Sequence, residues 1–234
     1  MTGNTETIGK NIAEIQNYLN GRAALLAATK TIPADVINLT YDMGIRVIGE
    51  NRVNELVEKY PLLDKRFDIH FIGRLQRNKV KYIIDKVSLI HSLDSLLLAE
   101  EIEKRASRIG KIQDCLVEIN LGDEISKGGI PLDKLDAFMD NIKSFSHVRI
   151  RGLMGVLPKT EDIQKNIIFF TKITQKFIDI KVGNVDNSIM GNNAMEILSL
   201  GMSGDYKEAV ECGSNLVRIG EGIFGRRDRQ HENV

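Results

Sequence analysis

The sequence has no surplus of charge of either sign. Its 32 Lys and Arg balance 32 Asp and Glu. That argues against a general nucleic-acid or membrane-surface binder, because both need a basic field. No apolar run reaches the length of a bilayer-spanning helix. The N-terminus, Met1 to Thr7, lacks the basic start and apolar middle of a secretory signal. Cysteine is scarce. Cys115 and Cys212 show neither a CxxC nor a framework spacing, and read as reduced core thiols of a cytoplasmic protein. His70, His91, His147 and His231 include no pair at metal-ligand spacing, so a protein-bound metal is not expected. What remains is an ordinary globular composition, 42% hydrophobic and 27% charged over 234 residues.

What is present is alternation. Ile8, Ile12, Ile15 and Leu19 recur at helical spacing and predict a first helix over Thr5 to Leu19. Ala24 to Ala28 is a short apolar run of the kind buried on both faces in a parallel sheet. Pro33 suits the first turn of a helix that ends at Gly44. Further strands are expected at Ile45–Gly49, Phe67–Ile72, Val87–His91, Cys115–Asn120, Val148–Val156, Glu196–Leu200 and Leu216–Ile219. Helices are expected around Val53–Val57, Val80–Ile84, Leu96–Ile109, Pro131–Ile142, Glu161–Ile180 and Tyr206–Glu211, with Asn51 as the cap of the first of these. Eight strands, each followed by a helix or turn, point to parallel βαβ units. The count and length fit α/β architecture as a single (β/α)8 TIM-like barrel with an extra N-terminal helix. A doubly wound open sheet is the alternative. Residues 1–234 show no linker or composition shift, so one domain is expected.

In such a barrel the chemistry sits in the loops after the strands, at one face. Lys30 stands where the first strand leaves the core. A lysine partly desolvated there exposes a nucleophilic amine able to form an imine with an aldehyde; position alone favours a lysine that simply exits to solvent, so the rest of the sequence must decide. After the seventh strand, Gly201-Met202-Ser203-Gly204 offers a hydroxyl and backbone N–H groups. After the eighth, Gly220-Glu221-Gly222 lets backbone approach a ligand closely. Together they read as a phosphate cradle, or else as two tight glycine turns. Gly220-x-Gly222-x-x-Gly225 also fits a dinucleotide fingerprint, but the chain that follows is too short for the helix, strand and acidic partner of that unit. Arg218 lies inside the eighth strand, where a charge needs a partner. It is expected to face the mouth, or to form a salt bridge with a neighbour such as Glu118. A reactive lysine, a phosphate cradle and an arginine at one mouth suggest pyridoxal 5′-phosphate (PLP). Because arginine does not give up its proton, a ring nitrogen facing it stays unprotonated, which weakens the ring as an electron sink.

At these residues the chain resembles the PLP homeostasis protein family, itself similar to the N-terminal barrel of alanine racemase. The resemblance is carried by Ala28-Thr29-Lys30-Thr31, Gly49-Glu50-Asn51-Arg52-Val53-Asn54-Glu55 and His70 to Lys79. It continues through Ser126-Lys127-Gly128-Gly129, Arg151-Gly152-Leu153-Met154, Leu198 to Asp205 and Val217 to Gly225. It implies that Lys30 carries the PLP imine and that Arg218 faces the pyridine. It also implies phosphate contacts from Ser203, Gly220 and the backbone of Glu221, with Asn51 lining the pocket. Glu221 stands where the family has a small hydroxyl residue. A carboxylate repels phosphate, so only its backbone N–H suits the role. Thr29, Arg74 and Arg77 also depart from the usual residues.

The function so implied is intracellular vitamin B6 homeostasis without catalytic turnover, by a monomer with PLP-dependent apoenzymes as recipients. The alternative is an amino-acid racemase using PLP. That reaction needs an acid–base group on each face of the imine, and Tyr18, Tyr41, Tyr60, Tyr82 and Tyr206 all fall in expected helices. In the racemases the opposing tyrosine comes from a second, β-rich domain, for which this chain has no expected room. A Schiff-base aldolase would need a carboxylate partner such as Glu50. Arg74, Arg77, Lys79 and Lys81 read as a solvated face, Lys127 as an exposed loop lysine or a cofactor relay, and Arg226 to Arg229 as a charged tail.

Overall fold

The structure is a computed structural model that describes residues 5–120, 128–157, 162–183 and 194–225. Lys127, most of the polar loop 183–193 and the 226–229 tail lie outside the described residues. Among the described residues nine strands join one parallel sheet: β1 (Ala24–Ala28), β2 (Val47–Glu50), β3 (Asp68–Phe71), β4 (Leu89–Leu93), β5 (Gln113–Asn120), β6 (Ile130–Pro131), β7 (Val148–Gly155), β8 (Ile197–Ser199) and β9 (Leu216–Ile219). β4 pairs with β5 and β1 with β9, which closes eight of them into a barrel. The ninth, β6, only extends the ladder at the end of β5.

The barrel strands are largely buried on both faces. Outward residues such as Ala27, Ile48, Ile90, Val117, Leu153 and Val217 pack with the helices. Leu89, Leu116 and Met154, with Ile197 against them, form a separate cluster from four neighbouring strands. That is the filled floor of the barrel interior. The helices are α1 (Thr5–Leu19), α2 (Ala34–Asp42), α3 (Val53–Lys59), α4 (Leu96–Ser107), α5 (Leu135–Ile142), α6 (Ile163–Gly183), α7 (Tyr206–Glu211) and α8 (Glu221–Phe224). Helix α1 buries Ile8, Ile12, Ile15 and Leu19. It packs on α2 and α8 across the β1–β9 seam, where Asn11 Nδ2 donates to the Ile223 carbonyl at 3.0 Å.

Three local expectations change. The segment around Val80 forms a 3-10 helix over Arg77–Tyr82 rather than an α-helix. Val80 and Ile83 are both buried, and the three-residue period already aligns them. The helix expected from Pro131 starts at Leu135, because Ile130 first pairs beside Ile119 and Pro131 ends that ladder. The position expected of Asn51 at the start of α3 belongs to Arg52, which makes no side-chain cap bond.

Candidate functional site

The C-terminal ends of β8, β9, β1, β2 and β3 are consecutive around the barrel. Leu26 pairs beside Arg218, and Ala28 beside Gly49. Lys30, Gly220 and Asn51 therefore leave the sheet side by side on one rim, and Ser203 reaches it from the loop after β8. All six candidate residues (Lys30, Asn51, Ser203, Arg218, Gly220 and Glu221) belong to this rim.

Lys30 sits in a clamped turn. The next residue, Thr31, has φ +65°, which is strained for a β-branched side chain. What holds it is a charged cluster. The Glu55 carboxylate accepts the Thr31 N–H. Lys59 Nζ donates to Glu55 at 2.6 Å, to Glu50 at 3.0 Å and to the Thr29 carbonyl at 2.9 Å. Thr29 Oγ1 donates to the same Glu50 oxygen at 2.7 Å. Glu50 is wholly buried, its second oxygen has no partner among the described residues, and burial raises its pKa. Glu50 is thus committed to shaping the Lys30 turn, which argues against its use as an aldolase base.

The turns after β8 and β9 are joined. The Gly222 N–H donates to Ser203 Oγ at 3.0 Å. The Ser203 hydroxyl proton has no acceptor among the described residues, and the first N–H groups of α8 have no partner within that helix. Glu221 itself points outward and is exposed, so only its backbone belongs to the rim. Gly201, at φ +91°, carries the chain past α7. A Cβ there would lie 2.7 Å from Ala209 Cβ and 2.8 Å from Tyr206 Cα. On the other side, a Cβ at Gly73 would lie 2.0 Å from the Asn51 carbonyl oxygen. That close approach locks the loop after β3 against Asn51.

Arg218 is 5% exposed and makes no ion pair among the described residues. The alternative of a Glu118 salt bridge is not what forms. Arg218 Nη1 donates to the Ser199 carbonyl and to Ser199 Oγ, each at 2.7 Å, and Nη2 to the Gly155 carbonyl at 2.9 Å. Burial pushes its pKa down to about 10, with Asp205 and Glu118 acting the other way, so it stays cationic at neutral pH. Three of its five N–H donors are used. Nε–H and one Nη2–H have no partner among the described residues, and such donors suit a neutral ring acceptor.

Sequence reasoning missed Ser199, Lys59, Glu55 and the pair His70 and His91, whose rings meet at 3.0 Å (Nδ1 to Nε2). A usable signal was present. Each of His70, His91, Ser199 and Arg218 is a polar residue at an apolar strand position. Arg74, Arg77 and Lys81 are exposed along the 3-10 segment and its approach, as a solvated face would be.

Comparisons with known proteins bear on the family and the fold. Residues 4–228 match the family described as alanine racemase, N-terminal domain. A pyridoxal phosphate homeostasis protein of Aquifex aeolicus is 42% identical over 88% of this chain and 87% of its own. PipY of Synechococcus elongatus, solved with PLP bound, superposes at TM-score 0.83 with 28% identity, over 93% of this chain and 100% of PipY. An alanine racemase of Clostridium difficile, 14% identical, shares the fold at TM-score 0.74 over 96% of this chain and 58% of its own. The chain belongs to the pyridoxal phosphate homeostasis protein family, built on the alanine racemase N-terminal barrel.

Proposed function

We propose that this chain holds pyridoxal 5′-phosphate at the C-terminal rim of its barrel, tethered through Lys30, and serves vitamin B6 homeostasis as a holder rather than a turnover catalyst. The observation that carries the reading is one rim formed from adjoining strands. It bears the Lys30 amine, the joined Ser203–Gly222 turns and two unpartnered Arg218 donors. PLP supplies an aldehyde for the amine, a phosphate for the turns and a pyridine nitrogen for the arginine. In this arrangement Ser203, Gly220 and the Glu221 N–H bind the phosphate, and Asn51, locked by Gly73, lines the side. Arg218 donates to the ring nitrogen and leaves it without a proton.

That choice favours holding over turnover, because an unprotonated ring stores carbanion charge poorly. A racemase also needs an opposing acid–base group. Tyr18, Tyr41 and Tyr206 lie in α1, α2 and α7, Tyr60 caps α3 and Tyr82 lies in the 3-10 segment. Tyr18 and Tyr206 pack edge-to-face on each other. PLP-dependent apoenzymes are the recipients in this reading, and the chain acts as a monomer in the cytoplasm. Its two free thiols suit a reducing compartment.

The test is direct. Purified protein mixed with PLP should develop a visible-range band, and borohydride should fix the cofactor on Lys30, located by peptide mapping. Lys30→Ala should abolish the fixed adduct. Protein that gains no adduct refutes the reading. Sustained racemisation of L-alanine or another L-amino acid, followed by chiral analysis, would overturn the non-catalytic role.

A further inference from the structure

Beneath Arg218 a line of polar side chains crosses the barrel interior. Ser199 Oγ, which accepts from Arg218 at 2.7 Å, lies 3.3 Å from His91 Nδ1. His91 Nε2 lies 3.0 Å from His70 Nδ1, and His70 Nε2 lies 3.2 Å from Asp68 Oδ2. His91 and Ser199 are fully buried and His70 nearly so, whereas the Asp68 carboxylate is half exposed at the start of β3, the opposite end of the barrel from Lys30. Ser88 Oγ also reaches Asp68. The line therefore runs from the cation at the mouth to a carboxylate at the floor.

With neutral rings, its two ends fix everything between them. Arginine only donates, and a carboxylate only accepts. Asp68 must accept from His70 Nε2–H, so His70 Nδ1 is an acceptor and receives His91 Nε2–H. His91 Nδ1 is then an acceptor and receives the Ser199 hydroxyl proton, leaving Ser199 Oγ to accept from Arg218. With both imidazoles neutral this is the one assignment of the line, and it puts the proton of each ring on Nε2. Burial, His70 and Arg218 all hold His91 well below the usual imidazole range, in keeping with that state.

We propose that His91, backed by His70 and Asp68, is a positioning residue for Arg218: through Ser199 it fixes the guanidinium rotation and so aims the unpartnered donors at the mouth. The Ser199 and Gly155 carbonyls take two donors of the fork, and Ser199 Oγ is the third acceptor and the one that the line orients. A neutral, polarised chain ending in a distant carboxylate orients it without placing a negative charge in the cofactor site. The role toward PLP rests on the function proposed above; the orientation of Arg218 does not.

The experiment uses the full chain, labelled with 15N. Long-range 1H–15N spectra at neutral pH should show His70 and His91 neutral and protonated on Nε2. A proton on Nδ1 of either, or a cationic ring in either, overturns the proposal. Arg218 should give separate, slowly exchanging Nη signals that merge in Ser199→Ala and in His91→Phe. Both variants should still form the borohydride-fixed Lys30 adduct, with a shifted visible band and PLP held about tenfold less tightly, the weight of one hydrogen bond to a charged group. Asp68→Asn should move the same readouts in the same direction by less. Unchanged Arg218 signals in Ser199→Ala refute the positioning role, and that variant serves if His91→Phe does not fold. If the unsubstituted chain takes up no PLP, the function proposed above fails, while the histidine and arginine spectra still decide this inference.

Discussion

Replacing Lys59 by methionine should destabilise the protein by an amount that depends on pH. Lys59 is the cation that faces the wholly buried Glu50, and Thr29 is the other donor to that carboxylate. Removing one partner of a buried pair typically costs about 3–5 kcal/mol. The cost has a ceiling, because Glu50 can take up a proton instead. From a reference pKa of 4.5, keeping it protonated at pH 7 costs about 3.4 kcal/mol. A loss near 3 kcal/mol corresponds to a melting temperature lower by about 6–12 °C for a chain of this size. The sign is fixed by burial. Glu50 has a folded pKa above its unfolded value, so the stability of its protonated form is fully present below the unfolded pKa and is lost as pH rises through the folded one. The ceiling therefore falls by about 1.4 kcal/mol for each pH unit of acidification, and at pH 5.5 the variant should trail its parent by only about 1.4 kcal/mol. Urea denaturation of parent and Lys59→Met at pH 7.5, 6.5 and 5.5 measures this directly. Adding Glu50→Gln to Lys59→Met should recover more than half of the loss at pH 7.5 and remove its pH dependence. A deficit below about 1 kcal/mol at pH 7.5, or one that is flat with pH, would refute the reasoning that Lys59 neutralises a buried carboxylate.

Gly73→Ala should cost about 3 kcal/mol or more, because its Cβ meets the Asn51 backbone rather than a flexible side chain; a parent-like urea midpoint would contradict the close approach. Cys115 is fully buried and burial pushes its thiol pKa far up, whereas Cys212 is half-buried at the end of α7. A thiol reagent should therefore label one cysteine readily and the other only at the rate of unfolding, and two rapid reactions would show that the β5 core opens.

Much of the barrel is legible in the sequence because its strands are short runs buried on both faces, set apart by helical periodicity. Leu216–Ile219 and Tyr206–Glu211 are found at their expected limits because Gly201, Gly213 and Gly220 punctuate them. The 77–84 segment misleads, since Val80 and Ile83 satisfy a three-residue and a 3.6-residue period alike. The rim is legible where a residue type is unusual for its place, as with Lys30 at a strand exit and Arg218 within one. The support beneath it is not. The Glu50–Lys59–Glu55 cluster and the line from Arg218 to Asp68 join side chains from several elements that meet only in the folded barrel, and only Glu55 and Lys59, four residues apart in α3, have a spacing that encodes their pairing. His70 and His91 stand on adjacent strands, yet in the chain they look like two scattered histidines.

The seam between β1 and β9 has a consequence for how the protein acquires its site. Lys30 follows the first strand and Arg218 lies in the last, and those two strands meet only when the ring shuts. Contacts so distant in sequence form late, because their loop-closure entropy precedes any reward. A ligand that touches both strands binds the shut ring and not the open one, and so stabilises closure in proportion to its free concentration over its dissociation constant. For a holder of PLP, the supply of cofactor would then set the fraction of chains whose barrel is latched.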